Sequence, residues 1–367
     1  MNDFDNEEQS MRTMRGDTKD GTLGRIDQYE IIRELGVGGF GVVYLVRDTQ
    51  TGEKYAIKAL HHILKNNPCE QEKFENQFKW ASKLSHPNIV SLIHFHTIKD
   101  VAYFNDETSN KLHFSPGDSV FVMQYASGVT LSKWRKQFPK SVVPVDFAIE
   151  ICSQIALALD YAHSEKIIHR DITPSNIMIE TSGDSVIARV FDFGLAMKMD
   201  EALDEDALIQ ETLFGTPAYM APEQWLRENI GPAVDQYALA SLFYEMVSGN
   251  APFQSNGSNQ ASQITFTITC PSVSENSDID NLKNAIIKNE PQILRELTPV
   301  TFTITCPSVS ENSDIGNLKN AIINNEPQIL RELTPAQNEV LFKALSKIPS
   351  KRYETCIDFV MALNQHK

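Results

Sequence analysis

No stretch of this 367-residue chain reaches the roughly 18 consecutive apolar residues that a membrane-spanning helix needs. The start, Met1 to Asp20, is polar and acidic without an apolar core, so it does not read as a secretory signal. Cysteine is sparse: Cys69, Cys152, Cys270, Cys306 and Cys356 are scattered, and no C-x-x-C pair occurs. Reduced thiols are therefore expected, with no disulfide or zinc framework. Basic charge is also short, with 33 Lys and Arg against 48 Asp and Glu, a net charge of −15. That balance argues against nucleic acid and anionic membrane as partners. A soluble, cytoplasmic protein without a membrane span is the expectation. The 41% hydrophobic and 22% charged content are those of a globular chain, long enough for one large two-lobed domain or two ordinary ones.

Residues 1–26 lack apolar periodicity and read as a disordered arm. From Tyr29 the text becomes strand-like: Tyr29 to Leu35 and Val42 to Val46 flank a glycine-rich turn, which predicts a hairpin. The turn, Gly36-Val37-Gly38-Gly39-Phe40-Gly41-Val42-Val43, fits G-x-G-x-x-G-x-V. Glycines there let backbone N–H groups approach phosphate oxygens. A dinucleotide fingerprint would open a helix, whereas here a β-branched run continues as a strand. Lys54 to Leu60 alternates as a strand and carries Lys58. Gln71 to Leu84 reads as a helix, with Phe74, Phe78, Ala81 and Leu84 at helical spacing. His94 and His96 share one strand face, although two histidines without a third acid or thiol rarely hold a metal. Lys99 to Ser119 reads as an inserted loop, and Val120 to Gly128 as an apolar strand leaving into a linker. Leu131 to Phe138 and Val145 to Glu165 read as helices, the second with Phe147, Ile151, Ile155 and Leu159 as a core stripe.

The most informative stretch is Ile168-His169-Arg170-Asp171-Ile172-Thr173-Pro174-Ser175-Asn176, followed by Asp192-Phe193-Gly194. One acid precedes an amide by five positions, and a second acid sits beside a glycine. Phosphoryl transfer asks a protein for such parts: a carboxylate to orient a hydroxyl and oxygen ligands for Mg²⁺. Taken with the glycine-rich turn, Lys58 and Gly215-Thr216-Pro217-Ala218-Tyr219-Met220-Ala221-Pro222-Glu223, the chain resembles eukaryotic-like (Hanks-type) bacterial serine/threonine protein kinases from about Tyr29 to Leu363.

The resemblance implies an α+β, two-lobed fold with a β-rich lobe over about 27–125 and a mainly helical lobe over about 126–365. It implies Mg-ATP in the cleft and Ser/Thr hydroxyls of proteins as acceptors, with self-association for autophosphorylation. Catalysis would fall to Asp171, Lys58, Asn176 and Thr216, and the metal to Asn176 and Asp192. ATP would meet Leu35, Gly36, Val37, Gly38, Gly39, Phe40, Gly41, Val43, Ala56 and Lys58, with Met123 as gatekeeper and adenine bonded near Gln124 and Ala126. The helix position that usually pairs with the lysine falls on Gln77, unless a shifted alignment recruits Glu72 or Glu75. Thr173 stands where such kinases usually carry a lysine. These two departures motivate an alternative, an ATP-binding pseudokinase scaffold. A small-molecule kinase is disfavoured by the segment ending in Ala221-Pro222-Glu223, which serves peptide binding. Arg170 and Thr212 suggest control by phosphorylation of the segment before it; the acidic residues from Asp200 to Glu211 could instead neutralise Arg170. Asp235 resembles the buried anchor of the catalytic loop, and Arg352 the partner of Glu223.

A repeat lies inside this region. Residues 265–299 recur as 301–335, differing only at Asp280 against Gly316 and Lys288 against Asn324. The second copy, helical over 317–324, runs into Ala336 to Leu345 and is assigned to the normal fold. The first, about 265–300, is then a surface insertion: a docking element, or a neutral duplication of the kind surface loops tolerate.

Overall fold

The computed structural model describes residues 22–37, 41–60, 68–103, 114–183, 185–193, 196–199, 216–228, 230–253 and 314–366. Contacts divide the chain into two units, Met1–Ser85 with Val90–Ser127, and His86–Ile89 with Gly128–Lys367.

The first unit is built on one antiparallel sheet. Its strands are β1 (Gly24–Ile26), β2 (Tyr29–Val37), β3 (Gly41–Asp48), β4 (Lys54–Leu60), β5 (Leu92–Thr97), β6 (Val101–Tyr103) and β7 (Ser119–Gln124), in the order β5-β7-β4-β3-β2-β1-β6. β5 and β6 are neighbours in sequence yet lie at opposite ends of that order, so the sheet curls until a short turn joins its ends. Asp27 pins the junction: its carboxylate accepts the N–H of Asp100 at 2.8 Å and of Lys99 at 3.1 Å, and pairs with His96 Nε2 at 2.6 Å. Inside the curl Ile26, Tyr29, Ile31, Val46, Ile57 and Val122 form the centre of a buried cluster. The first helix, α1 (Pro68–Ala81), presses Phe74 onto Phe121, rings stacked at 3.8 Å.

Several expectations change here. The last residues of the anticipated arm form β1. The anticipated loop at Lys99 to Ser119 contains β6, and its Phe114 lies in the core, where Tyr103 Oη donates to the Phe114 carbonyl at 2.6 Å. Polar composition hid one aromatic anchor. His94 and His96 are engaged by Tyr29 at 3.2 Å and by Asp27, so both serve the sheet. α1 begins three residues before Gln71 and ends at Ala81.

The second unit contains α2 (Leu131–Trp134), α3 (Val145–Ser164), α4 (Pro222–Leu226), α5 (Ala233–Ser248), α6 (Asp314–Asn324), α7 (Pro335–Ala344) and α8 (Cys356–Gln365). β8 (Val129–Thr130), β10 (Ile177–Ser182) and β11 (Ser185–Val190) form a three-stranded sheet, and β9 (Ile167–Ile168) pairs with β12 (Met197–Lys198). α5 is buried on nearly every side and forms the centre of this unit. α3 packs against it, and Ile151, Ile155 and Leu159 are fully buried, whereas Phe147, read as part of that stripe, is 37% exposed. Residue 147 lies in the first turn of α3, where the helix has just emerged from Pro144, and its ring meets that of Phe138 at 6.5 Å. Arg352 grips Glu223 through two bonds of 2.6 and 2.8 Å and also donates to the Ala233 carbonyl at 2.8 Å. One buried guanidinium thus joins α4, the start of α5 and the turn before α8; such a pair fixes geometry more than it adds net stability.

Gly128 opens β8 against β10, where an added Cβ would stand 1.9 Å from the Ile179 carbonyl oxygen. Gly128→Ala is expected to cost about 1–3 kcal/mol of unfolding free energy, the usual penalty for overpacking. Gly231→Ala, where a Cβ meets open space, should stay near wild type. Denaturant unfolding of both variants checks this.

Candidate active site

In the second unit the site starts from a buried carboxylate in the first turn of α5. Asp235 is fully buried, yet it accepts the backbone N–H of His169 at 2.8 Å, the N–H of Arg170 at 2.8 Å, and pairs with His163 Nε2 at 2.8 Å. Arg170 holds φ of 66°, a left-handed conformation that a side chain resists. The Asp235 bonds stabilise that turn, and the turn aims Asp171 away from the core.

Asp171 is held by donors on both oxygens. Thr216 gives its backbone N–H at 2.9 Å and its hydroxyl at 2.8 Å to Oδ1, and Asn176 gives its amide at 2.8 Å to Oδ2. Desolvation raises the Asp171 pKa; the Thr216 hydroxyl and His169 oppose that rise, and the Asp192 charge adds to it. A carboxylate so placed is a better proton acceptor than an ordinary one. His169 supports the loop from below. Its Nδ1 accepts the Asp171 N–H at 3.2 Å and its Nε2 meets the Phe191 carbonyl at 3.2 Å, which assigns the ring proton to Nε2. Phe193 packs on the same ring at 4.6 Å.

Asn176 spends its amide nitrogen on the Asp171 carboxylate and, at 2.9 Å, on its carbonyl. Its Oδ1 therefore points the other way. Asp192 is exposed and sits at φ of 60°. An amide oxygen and a carboxylate are the hard donors that a divalent ion such as Mg²⁺ takes, so the residues present fit such an ion. Thr173 is buried, and its carbonyl accepts the Asn176 N–H at 3.0 Å. Gly194, the acidic run and Thr212 lie outside the described residues.

In the first unit, strand register gathers the other candidates. β3 and β4 pair Val43 with Lys58 and Leu45 with Ala56, while β4 and β7 pair Lys58 with Phe121 and Ala56 with Met123. Directly paired residues point to the same side of a sheet. Val43, Ala56, Lys58 and Met123 therefore share the face opposite the Ile57 and Val122 core. Lys58 is buried. Gly41 has no room for a Cβ, which would lie 2.1 Å from the Ala59 carbonyl oxygen, whereas a Cβ on Gly36 meets nothing within 4 Å. Leu35 is half-buried, Val37 exposed and Ala126 buried; the Gln124 N–H is donated to Ser91 at 2.9 Å. Gly38, Gly39 and Phe40 lie outside the described residues, as do the side chains of Glu72 and Gln77. Glu75 is exposed, so the alternative partner at that position points to solvent.

Four contacts carry no sequence signal of their own. Gln224 Nε2 donates to the Arg170 carbonyl at 3.3 Å, and Glu245 binds both Arg135 and the Tyr219 hydroxyl. His163 meets Asp235 across 72 residues. Polar residues inside an otherwise apolar helix are the only hint.

Asp235 titrates below the ordinary aspartate value of 3.8: desolvation raises it, but the His163 bond and charge, with His169, lower it further. A carboxyl depressed by folding contributes stability above its unfolded value, and that stability is lost as pH falls through the folded value. Stability should thus decline on acidification below about pH 4. Asp235→Asn should lower stability by about 1.5–3 kcal/mol at neutral pH and flatten that acid slope in pH-dependent denaturant titrations.

A family model described as protein kinase domain matches residues 29–364. PknB of Lactococcus lactis is 34% identical over 272 residues, covering 72% of this chain and 39% of that protein. The serine/threonine-protein kinase PknF of Mycobacterium tuberculosis is 28% identical over 338 residues, covering 91% of this chain and 55% of that one. The chain thus spans about half or less of the curated relatives it matches. The crystal structure of the PknI kinase domain of Mycobacterium tuberculosis has a TM-score of 0.56 at 21% identity, covering 96% of this chain and all of that one; it shares the fold. Among the described residues no helix is long and apolar enough to cross a membrane. The chain belongs to the protein kinase domain family, and the relatives it matches are named as bacterial serine/threonine kinases.

Proposed function

We propose that this chain transfers the γ-phosphate of ATP, as its Mg²⁺ complex, to serine and threonine hydroxyls of proteins, itself included. The single observation that carries the reading is the Asp171 carboxylate, fixed by Thr216 and Asn176 on a loop anchored to Asp235. Thr216 and Asn176 orient the carboxylate, which orients the acceptor hydroxyl and receives its proton late in transfer. Thr216 positions Asp171 and lies five residues before Ala221, in the segment the family uses against peptides. Asn176 Oδ1 and the Asp192 carboxylate are the groups we assign to Mg²⁺. Held by these two groups, such an ion would supply positive charge against the phosphates.

Lys58 is assigned to the α- and β-phosphates, the 36–43 hairpin to covering them, and the Gln124 and Ala126 backbone to adenine. Gln124 has already donated its N–H, which leaves its carbonyl for that task. Thr173 removes one cation from around the transferring phosphate, so turnover slower than in lysine-bearing relatives is expected. A cytoplasmic setting suits both ATP supply and reduced cysteines. Nothing observed favours the scaffold alternative over catalysis, and self-association is proposed only as the route to autophosphorylation.

With labelled ATP, Mg²⁺ and a generic protein acceptor, wild type should transfer label and Asp171→Asn should fall roughly 10²–10⁴-fold while nucleotide binding holds. Transfer no higher in wild type than in Asp171→Asn would sink the enzyme reading. Thr216→Ala should lower kcat more than KM for ATP, because the lost bond orients the base and does not touch nucleotide; steady-state kinetics separate the two.

A further inference from the structure

The duplicated segment poses a selection problem. Every side chain with which the second copy enters the core has an identical counterpart in the first. Leu318, Ile322, Leu330 and Leu333 are buried, and the first copy offers Leu282, Ile286, Leu294 and Leu297. The polar clamps are no more selective. Lys347 Nζ donates to the Ile322 carbonyl at 2.7 Å, and Asn338 binds the Leu330 backbone through bonds of 2.9 Å in both directions. Both clamps read backbone, which the two copies share. Only positions 316 and 324 differ, and Asn324 is exposed, where the corresponding Lys288 would be harmless.

Position 316 is different. Gly316 is buried in the first turn of α6, the helix that packs against α4 and against the 3-10 turn Pro217–Tyr219. The first copy would bring Asp280 to that place. A carboxylate in a helix's first turn is favourable when water reaches it. At a buried glycine it must both find room and shed its hydration, and the desolvation outweighs the attraction of the helix end.

We infer that residue 316 selects which copy forms α6, and that Asp280 bars the first copy from that position. The surplus 36 residues are thereby placed before α6, and the second copy stays joined directly to α7. This selection is independent of phosphoryl transfer, so it stands or falls apart from the proposed activity.

Two single-copy chains isolate the effect. Removing 265–300 or removing 300–335 leaves one copy joined to Ala336 in each case, and the products differ only at the Asp/Gly and Lys/Asn positions. The chain keeping the second copy should melt like the full-length protein. The chain keeping the first should melt at least about 4 °C lower, and Asp280→Gly in that chain should restore it while Lys288→Asn should not. In the full-length chain Gly316→Asp should lower the melting temperature similarly and Asn324→Lys should leave it unchanged. Equal melting of the two single-copy chains, or rescue by Lys288→Asn instead of Asp280→Gly, would overturn the assignment.

Discussion

Asp235 is the constraint on which the catalytic unit depends. A carboxylate without water must have its charge satisfied by donors, and the donors here are two consecutive backbone N–H groups and a histidine. Those two N–H groups belong to the turn that carries Asp171, so satisfying the buried charge and shaping the loop are the same event. The left-handed Arg170 is tolerable because breaking its conformation would orphan Asp235. α5 supplies rigidity by being enclosed on nearly every side.

Around that anchor, precision comes from bonds made twice over. Asp171 is restrained at both oxygens, and His169 links its N–H to the Phe191 carbonyl just before Asp192. The two acids are thus tied through one imidazole, while their mutual repulsion helps keep the Asp171 pKa up. In the other unit the organising device is strand register. Period two puts Val43, Ala56, Lys58 and Met123 on one face and the apolar cluster on the other.

Much of this was legible because kinase motifs are short and local. His169 to Asn176, the glycine-rich turn and the segment ending at Glu223 are each continuous in sequence, and their spacing led to the fold class. Lys58 was legible from its place in an alternating strand. What local text could not carry was closure. Polar residues from Lys99 to Ser119 concealed β6 and Phe114, and the junction that joins the two ends of the sheet is pinned by Asp27, which collects N–H groups more than seventy residues away. Phe147 sits at core spacing but stays half outside, since periodicity marks a face and not what covers it.

The sequence by itself determined which chemistry-bearing groups exist and in what order: a carboxylate, an amide and a second carboxylate after a lysine-bearing strand, and two nearly identical 35-residue segments. Only the tertiary structure decided what each group faces. It set Thr216 and Asn176 on opposite oxygens of Asp171, turned Glu75 to solvent, and buried Gly316 in the first turn of α6. The physical reason is that bond formation and desolvation depend on neighbours brought from far along the chain, and two segments differing at two positions become unequal only when one of those positions is buried.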